Sequence, residues 1–158
     1  MEIAVRALSP GINDPNTAIS VLNQLGAPLC DLAPLRLPTG VVTRRGRAVL
    51  VVSAVDYGGL TDAMFHMIRQ NGNGSTAVLA RMIEVLTAVL GCEHDPARVR
   101  ALQRHADLVL NDAGRSVADP SDHSDVRARH ATFDEGRLAD QKRQSGPLYV
   151  VEANAPTA

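Results

Sequence analysis

The chain has 158 residues, of which 45% are hydrophobic and only 3% aromatic, with no tryptophan. This length is typical of one domain, and a core limited to aliphatic side chains favours packed helices. The 16 Lys and Arg residues nearly balance the 17 Asp and Glu residues, which argues against a nucleic-acid partner, because phosphate binding needs a concentrated basic surface. No apolar run approaches the roughly 20 residues of a membrane-spanning helix, so we expect this chain to be soluble by itself.

Residues 7–18 combine the end of one helix with the start of another. Pro10 fixes its own φ and disfavours the helical conformation at the residue before it, so a helix over residues 2–8 must end there. Asp14 is a good N-cap and Pro15 suits the first helical position, which predicts a second helix from Asp14. A helix as short as residues 2–8 is marginal in water, and we therefore expect it to continue upstream in the complete protein.

Two segments of the chain carry a family resemblance. The run from Ile3 to Pro15 (IAVRALSPGINDP), followed by Thr17 and Ala18, closely resembles the signature of a bacterial family of predicted membrane proteins, the domain of unknown function 2254. A second segment, IRQNGNGS at residues 68–75, resembles the next polar loop of that family. The resemblance implies an N-terminal part of several membrane-spanning helices and a soluble C-terminal part of unknown activity. The resemblance implies that this chain corresponds to the C-terminal part, and the family brings no catalytic residues to it.

The predicted helix from Asp14 has an apolar face, because leucines and alanines recur at spacings of three and four residues up to Leu32. Pro28 interrupts this pattern, so we expect a break or kink near Gly26 and a short turn ending before Pro34. Further amphipathic helices with capping residues are predicted at residues 56–68, 75–90 and 95–114.

Between residues 40 and 54 the helical pattern gives way to β-branched runs. Residues 40–43 and 47–53 flank Arg44-Arg45-Gly46, a tight turn, which predicts a β hairpin over residues 40–54. The second arm is nearly continuous in Val and Leu, which indicates that both of its faces are covered. An isolated hairpin is marginal in water, so we expect either helices to lie on it or the strands of another chain to cover it.

Residues 118–143 are rich in Asp, Arg, His and Gln, with apolar anchors only at Val126, Phe133 and Leu138. They form either one exposed helix or a solvated, partly disordered segment. The stretch from Pro147 to Val151 resembles a short strand, which would make the fold α+β if it joined the hairpin. The predicted organisation is a mainly α domain with one β hairpin over residues 1–117, followed by a polar helix and a loose tail over residues 118–158.

A candidate binding site lies where the turn after the first helix meets the loop before residue 75. Two helix N-termini would present free N–H groups and positive dipole ends there, and two arginines would add charge. This arrangement is typical of a site for a small anion or a phosphate group. The alternative is that these side chains cap helices and brace the turns. The candidate residues are Arg6, Ser9, Asn13, Asp14, Asn16, Arg69, Gln70 and Ser75.

Histidines and acidic residues give a weaker case for a metal-assisted enzyme. None of the spacings that define common metal motifs is present, and no cofactor is predicted. Neither Ser9 nor Ser75 lies in the nucleophile elbow of a serine hydrolase. The side chains that would have to form a metal site are His94, Asp95, His105, His123, Asp125 and His130.

The two cysteines, Cys30 and Cys92, have no metal-like spacing and give little reason to expect a disulfide. We interpret both as reduced thiols, which favours the cytoplasmic side of the cell membrane for this part of the parent protein.

The aliphatic helix faces, the hairpin that needs a cover and the short first helix all favour a surface that binds a partner. Homo-oligomerisation is the commonest solution, the upstream membrane part of the parent protein is a second partner, and a self-sufficient monomer is the alternative. We therefore predict a non-catalytic role in assembly of the parent protein or in sensing of a small anionic ligand. A metal-assisted enzyme is the alternative function.

Overall fold

The structure, a computed structural model, describes residues 1–38 and 40–144. Within these residues, six helices and one antiparallel hairpin follow one another. The helices are α1 (Glu2–Ala7), α2 (Pro15–Leu32), α3 (Tyr57–Asn71), α4 (Thr76–Leu90), α5 (Pro96–Ser116) and α6 (Pro120–Gln144). The strands are β1 (Val41–Arg44) and β2 (Arg47–Val51). The predicted fold class, mainly α with one β hairpin, is thereby confirmed, whereas the strand predicted from Pro147 to Val151 lies outside the described residues.

Helix α4 forms the centre of the fold because it is apolar on nearly all sides. Nine of its 15 residues are buried, and α2, α5 and α6 all pack against it. Each fully buried Leu or Ile side chain stabilises the fold by roughly 1.5 to 3 kcal/mol. The core is aliphatic, as the composition predicts, apart from the buried rings of Tyr57, Phe65, His105 and Phe133.

Three predicted helix starts are confirmed by their capping bonds. The carboxylates of Asp14, Asp56 and Asp95 each accept hydrogen bonds from backbone amides two or three residues ahead. Pro15 and Pro96 occupy the first positions of α2 and α5. A backbone N–H group at the first position of a helix has no acceptor within the helix, so its absence in proline costs no hydrogen bond.

Of the break or kink predicted near Gly26, the break is wrong, because α2 continues through Pro28, and the kink stays a prediction. Pro28 has no N–H group to donate to the carbonyl of Gln24, but both residues are exposed, so water can bind that carbonyl. On the opposite face Leu22 and Leu29 are fully buried. Their burial outweighs the cost of about 3 kcal/mol for an interior proline.

Helix α6 closes the bundle by packing on α4 and α5. Val126 and Phe133 are fully buried, whereas Leu138 is 46% exposed. The two buried anchors lie seven residues apart, so they project from the same face of the helix after two turns. Of the two alternatives for residues 118–143, the structure shows the helix. The division of the chain at residue 117 stays a prediction.

Candidate functional site

The predicted turn after α1 is closed by its own hydrogen bonds. The Ser9 hydroxyl donates to the Arg6 carbonyl oxygen at 2.7 Å, and the Asn13 amide donates to the Ser9 carbonyl oxygen at 2.9 Å. Asn13 has a φ of 46°, in the left-handed region that asparagine adopts more readily than most residues. Ser9 and Asn13 therefore shape the turn, and the Arg6 side chain lies exposed beside it.

The N-terminus of α2 is occupied by the carboxylate of Asp14. It accepts hydrogen bonds from the amides of Asn16 at 3.0 Å and Thr17 at 3.3 Å, and from the Thr17 hydroxyl at 2.6 Å. The bonds from Thr17, with a smaller effect from Asn16, hold the pKa of Asp14 below its ordinary value of 3.8. An external anion at this helix end would have to displace a carboxylate that is ionised at neutral pH.

Arg69 lies in the last turn of α3 and is 6% exposed. Its guanidinium forms an ion pair with Asp112 of α5, which also pairs with Arg115. The Nε atom of Arg69 is buried and has no hydrogen-bond partner. Arg69 therefore braces α3 against α5, and an anion bound to it would compete with Asp112.

The two predicted loops do lie together. A Cβ atom on Gly72 would stand 3.4 Å from Cδ1 of Leu8 and 2.7 Å from Cγ1 of Val78, so only glycine fits between the end of α1 and the start of α4. Gln70 is exposed, and Ser75 is the N-cap residue of α4 although its hydroxyl makes no capping hydrogen bond. The loops meet, but two of their charged side chains already have partners, and the anion site stays a prediction.

The hairpin differs from the helices because all of its side chains are exposed, from Val41 to Val51. Val41 lies opposite Val51, and Val42 lies opposite Leu50. Opposite residues share a face of a sheet, so each face of the hairpin carries an apolar pair. Of the two covers expected for it, helices of the same chain do not lie on these side chains in the described part of the chain.

The tip of the hairpin is a basic turn. Arg45 and Gly46 have φ values of 52° and 76°, the pattern of a type I′ turn, which matches the twist of the two strands. Arg44 and Arg47 flank these residues as opposite partners in the sheet. The hairpin thus combines apolar strands with three arginines at its tip.

A buried polar cluster, missed by sequence analysis, ties the end of α2 to the loop between α4 and α5. Glu93 is 1% exposed and accepts hydrogen bonds at 3.0 Å from the amides of His94 and Asp95. The Arg98 guanidinium lies 3.4 Å from the Glu93 carboxylate and 5.2 Å from the centre of the Tyr57 ring. Arg98 also donates to three carbonyl oxygens at the end of α2, those of Leu32, Ala33 and Leu35.

The histidines named as metal candidates lie apart from one another. His105 is fully buried between α3 and α5, with Nε2 3.0 Å from Asp62 Oδ1 but without hydrogen-bond geometry. Burial lowers the pKa of His105 to about 4, so the ring is neutral at pH 7. Nδ1 of His94 lies 3.5 Å from Oδ1 of Asp140, and Nε2 of His130 lies 2.8 Å from Oδ1 of Asp107, so each of these two rings contacts an aspartate on another element. Within residues 1–38 and 40–144, no three His, Cys, Asp or Glu side chains are grouped so that they could hold a metal ion.

The helices of the described residues include none with the length and apolarity needed to cross a membrane. Residues 1–88 nevertheless match the family model described as predicted membrane protein, DUF2254. An uncharacterised protein of Mycobacterium bovis and one of Mycobacterium tuberculosis are each 34% identical to this chain over 165 residues, covering 99% of the chain.

The chain therefore belongs to the DUF2254 family, and the resemblance seen in its sequence is confirmed. It covers 31% of the length of each of these mycobacterial relatives, so it corresponds to less than a third of such a protein. No solved structure matches it.

Proposed function

We propose that this chain is a non-catalytic assembly module of a larger bacterial membrane protein, and that two copies join through their hairpins. The main support for the proposal is the exposure of the apolar side chains of the hairpin. Thirteen large apolar side chains are exposed in residues 1–38 and 40–144. Seven of them lie in or next to the hairpin, namely Val41, Val42, Val49, Leu50, Val51, Val52 and Val55.

The physics of small sheets supports a partner for this hairpin. A sheet of two strands is marginal in water, and three or more strands with an apolar face are needed for stability. The sheet formed by the described residues has only β1 and β2, so each strand has an outer edge with backbone groups that can pair. Pairing of β2 with β2 of a second copy would satisfy such groups and make a sheet of four strands.

The basic tip supports an antiparallel arrangement. A twofold axis near Val49, in the middle of β2, would place the two tips at opposite ends of the joint sheet. The arginines of one copy, Arg44, Arg45 and Arg47, would then lie far from those of the other. Parallel pairing would bring both tips together, and like charges in neighbouring strands destabilise a sheet.

The family description supports a membrane part elsewhere in the parent protein, which is the second partner proposed for this chain. We place the assembly on the cytoplasmic side, because Cys30 and Cys92 are both free thiols. Free thiols are typical of a reducing compartment.

The molar mass of the chain in solution, measured by light scattering over a range of concentrations, tests the proposal. We expect a dimer of twice 16.8 kDa for the parent chain. Val49→Lys should yield the monomer, because the twofold axis would place the two new ammonium groups opposite each other in neighbouring strands, where like charges destabilise a sheet. Val49 is 58% exposed, so the substitution leaves the fold of each copy intact, which circular dichroism will verify.

The matched control is Leu138→Lys, which puts the same charge on an exposed apolar position of α6, 46% exposed. It should leave the dimer intact. Ile3→Lys probes α1, where the side chain is 68% exposed. A parent chain that is monomeric at every concentration contradicts the proposal, and so does a dimer that Ile3→Lys dissociates but Val49→Lys does not.

Sensing of a small anion by the two loops remains a hypothesis. It has less support because Asp14 occupies the N-terminus of α2 and Asp112 pairs with Arg69. Titration with inorganic phosphate, followed through the amide resonances of Asn16 and Thr17, would test it. The metal-assisted enzyme likewise stays a hypothesis.

A further inference from the structure

Cys30, in the last turn of α2, and Cys92, just after α4, lie side by side in the fold. The Sγ atom of Cys30 is 3.9 Å from the carbonyl oxygen of Ala88, and the Sγ atom of Cys92 is 3.6 Å from the same oxygen. Two sulfur atoms that contact the same oxygen are neighbours, and the Cys92 thiol contributes to the raised pKa of Cys30. Both line one cavity of about 300 Å³, together with Glu93 and Arg98.

The surroundings hold this pair in place. The hydrogen bonds of Glu93 fix the loop that carries Cys92, and those of Arg98 fix the end of the helix that carries Cys30. The Arg98 guanidinium and the Glu93 carboxylate are in turn an ion pair with side chains 12% and 1% exposed. The two thiols therefore stay close without any covalent bond between them.

We propose that Cys30 and Cys92 are a modification site that a hydroperoxide converts into an intramolecular disulfide. Cys92 is exposed and Cys30 is half-buried, so the Cys92 thiol meets the oxidant first. With hydrogen peroxide, the Cys92 sulfur attacks one oxygen, the O–O bond breaks, and a sulfenic acid and one water form. The Cys30 sulfur then attacks the Cys92 sulfur, the S–O bond breaks, and the hydroxyl leaves as a second water with the proton of Cys30.

Atoms and electrons balance in this sequence. The two thiols lose two protons and two electrons, and hydrogen peroxide gains them and becomes two molecules of water. Burial, then the hydrogen bond with Cys92 and nearby negative charge, raise the pKa of Cys30 to about 11. Because the thiolate is the nucleophile, the second step is slow at neutral pH and becomes faster as the pH rises.

Peptide mapping of the whole chain tests the proposal. The protein is fully reduced, freed of reductant, treated with one equivalent of hydrogen peroxide at neutral or mildly alkaline pH, blocked with N-ethylmaleimide and digested with trypsin. The two cysteines lie in different tryptic peptides, 7–36 and 82–98. We expect these peptides to be joined, two hydrogens lighter than their sum, more rapidly at alkaline pH, and separable by a reductant.

Isotope mixing and cysteine variants distinguish an intramolecular disulfide from the other possible oxidation products. A mixture of isotopically labelled and unlabelled protein should give joined peptides of one isotope only, because the bond forms within one copy. Cys30→Ser should abolish the joined peptides and leave Cys92 as the sulfenic acid, which a second equivalent of hydrogen peroxide converts into the sulfinic acid. In Cys92→Ser the Cys30 thiol should stay largely open to N-ethylmaleimide. Oxidised parent protein should melt at a higher temperature than reduced protein, since the bond closes a long loop in the unfolded chain.

Three results would overturn the proposal. In the first, both cysteines of the oxidised parent protein still react with N-ethylmaleimide. In the second, the joined peptides form only between copies, as mixed isotopes. In the third, Cys30 is oxidised in Cys92→Ser as quickly as in the parent chain, which would mean that Cys92 does not act first.

Discussion

The Arg69 guanidinium of α3 and the Asp112 carboxylate of α5 form an ion pair in which each side chain is only 8% exposed. Arg69 belongs to the second segment that carries the family resemblance, and Asp112 lies 43 residues further along the chain. Asp112 is shared with Arg115, whose side chain is 72% exposed. The buried pair fixes the end of α3 on α5 and thereby positions the loop that leads into α4.

Removal of the arginine should be costly. In Arg69→Met, the buried carboxylate of Asp112 loses its buried partner, and we expect the free energy of unfolding to fall by about 3 kcal/mol, the low end for a broken buried pair because Arg115 still reaches Asp112. Urea denaturation measures this loss. The control Arg115→Met removes an exposed partner and should change stability by less than about 1 kcal/mol.

A double variant shows how much of the loss in Arg69→Met comes from leaving the Asp112 carboxylate unpaired in the interior. Adding Asp112→Leu to Arg69→Met should recover part of the lost stability, because no unpaired charge then remains in the interior. Equal losses in Arg69→Met and Arg115→Met would show that burial of the Arg69 pair does not matter.

His105 predicts a pH dependence of stability. Burial lowers its pKa from 6.5 to about 4 in the folded protein. Below pH 6.5 the unfolded chain binds a proton that the folded protein does not bind, so the free energy of unfolding falls as the pH decreases from 6.5 towards 4. The slope is up to about 1.4 kcal/mol per pH unit.

The variant His105→Phe should flatten this part of the pH profile, since its ring fills the site beside Phe65 without a titratable nitrogen. Urea denaturation at pH values across this window measures the slope. His94→Gln is the control, because the His94 side chain is 71% exposed, and its profile should follow the parent chain. A His105→Phe profile as steep as that of the parent would contradict the assignment.

Local features of the fold can be predicted from sequence because their causes act within a few residues. Asp14 and Asp95 cap helices through amides two or three positions away, and the proline that follows each of them suits the first helical position. The turn at Arg45 and Gly46 is equally local, because it depends on the φ values that its own two residues adopt.

The arrangement of the candidate site could not be predicted in the same way, because its partners come from remote elements. No local sequence pattern indicates that Asp112 forms an ion pair with Arg69, or that the thiols of Cys30 and Cys92 contact the same carbonyl oxygen of α4. Pro28 shows the converse, since the local rule for a helix break fails where burial of the opposite helix face outweighs it.

The turn of the hairpin offers a pair of substitutions with opposite expected effects. Arg45 has a φ of 52°, where most residues are strained and asparagine is tolerated better. Arg45→Asn should therefore stabilise the hairpin, and Gly46→Ala, at a φ of 76°, should destabilise it by about 1 kcal/mol. Hydrogen exchange of the Val52 amide, which donates to the Gly40 carbonyl at 2.8 Å, reports on hairpin opening; the reverse order of protection would contradict the turn assignment.

Phe133 tests whether α6 belongs to the same cooperative unit as the helices before residue 117. Its ring is fully buried, so Phe133→Ala should lower the free energy of global unfolding by about 3 to 5 kcal/mol. Leu138→Ala, on the same helix but 46% exposed, should change it by no more than about 0.5 kcal/mol. If residues 118–144 formed a separate unit, Phe133→Ala would loosen α6 while hydrogen exchange in the core of α4 kept its full protection. Loss of protection in α4 together with α6 would instead join both helices in one unit, because a cooperative domain unfolds as a whole.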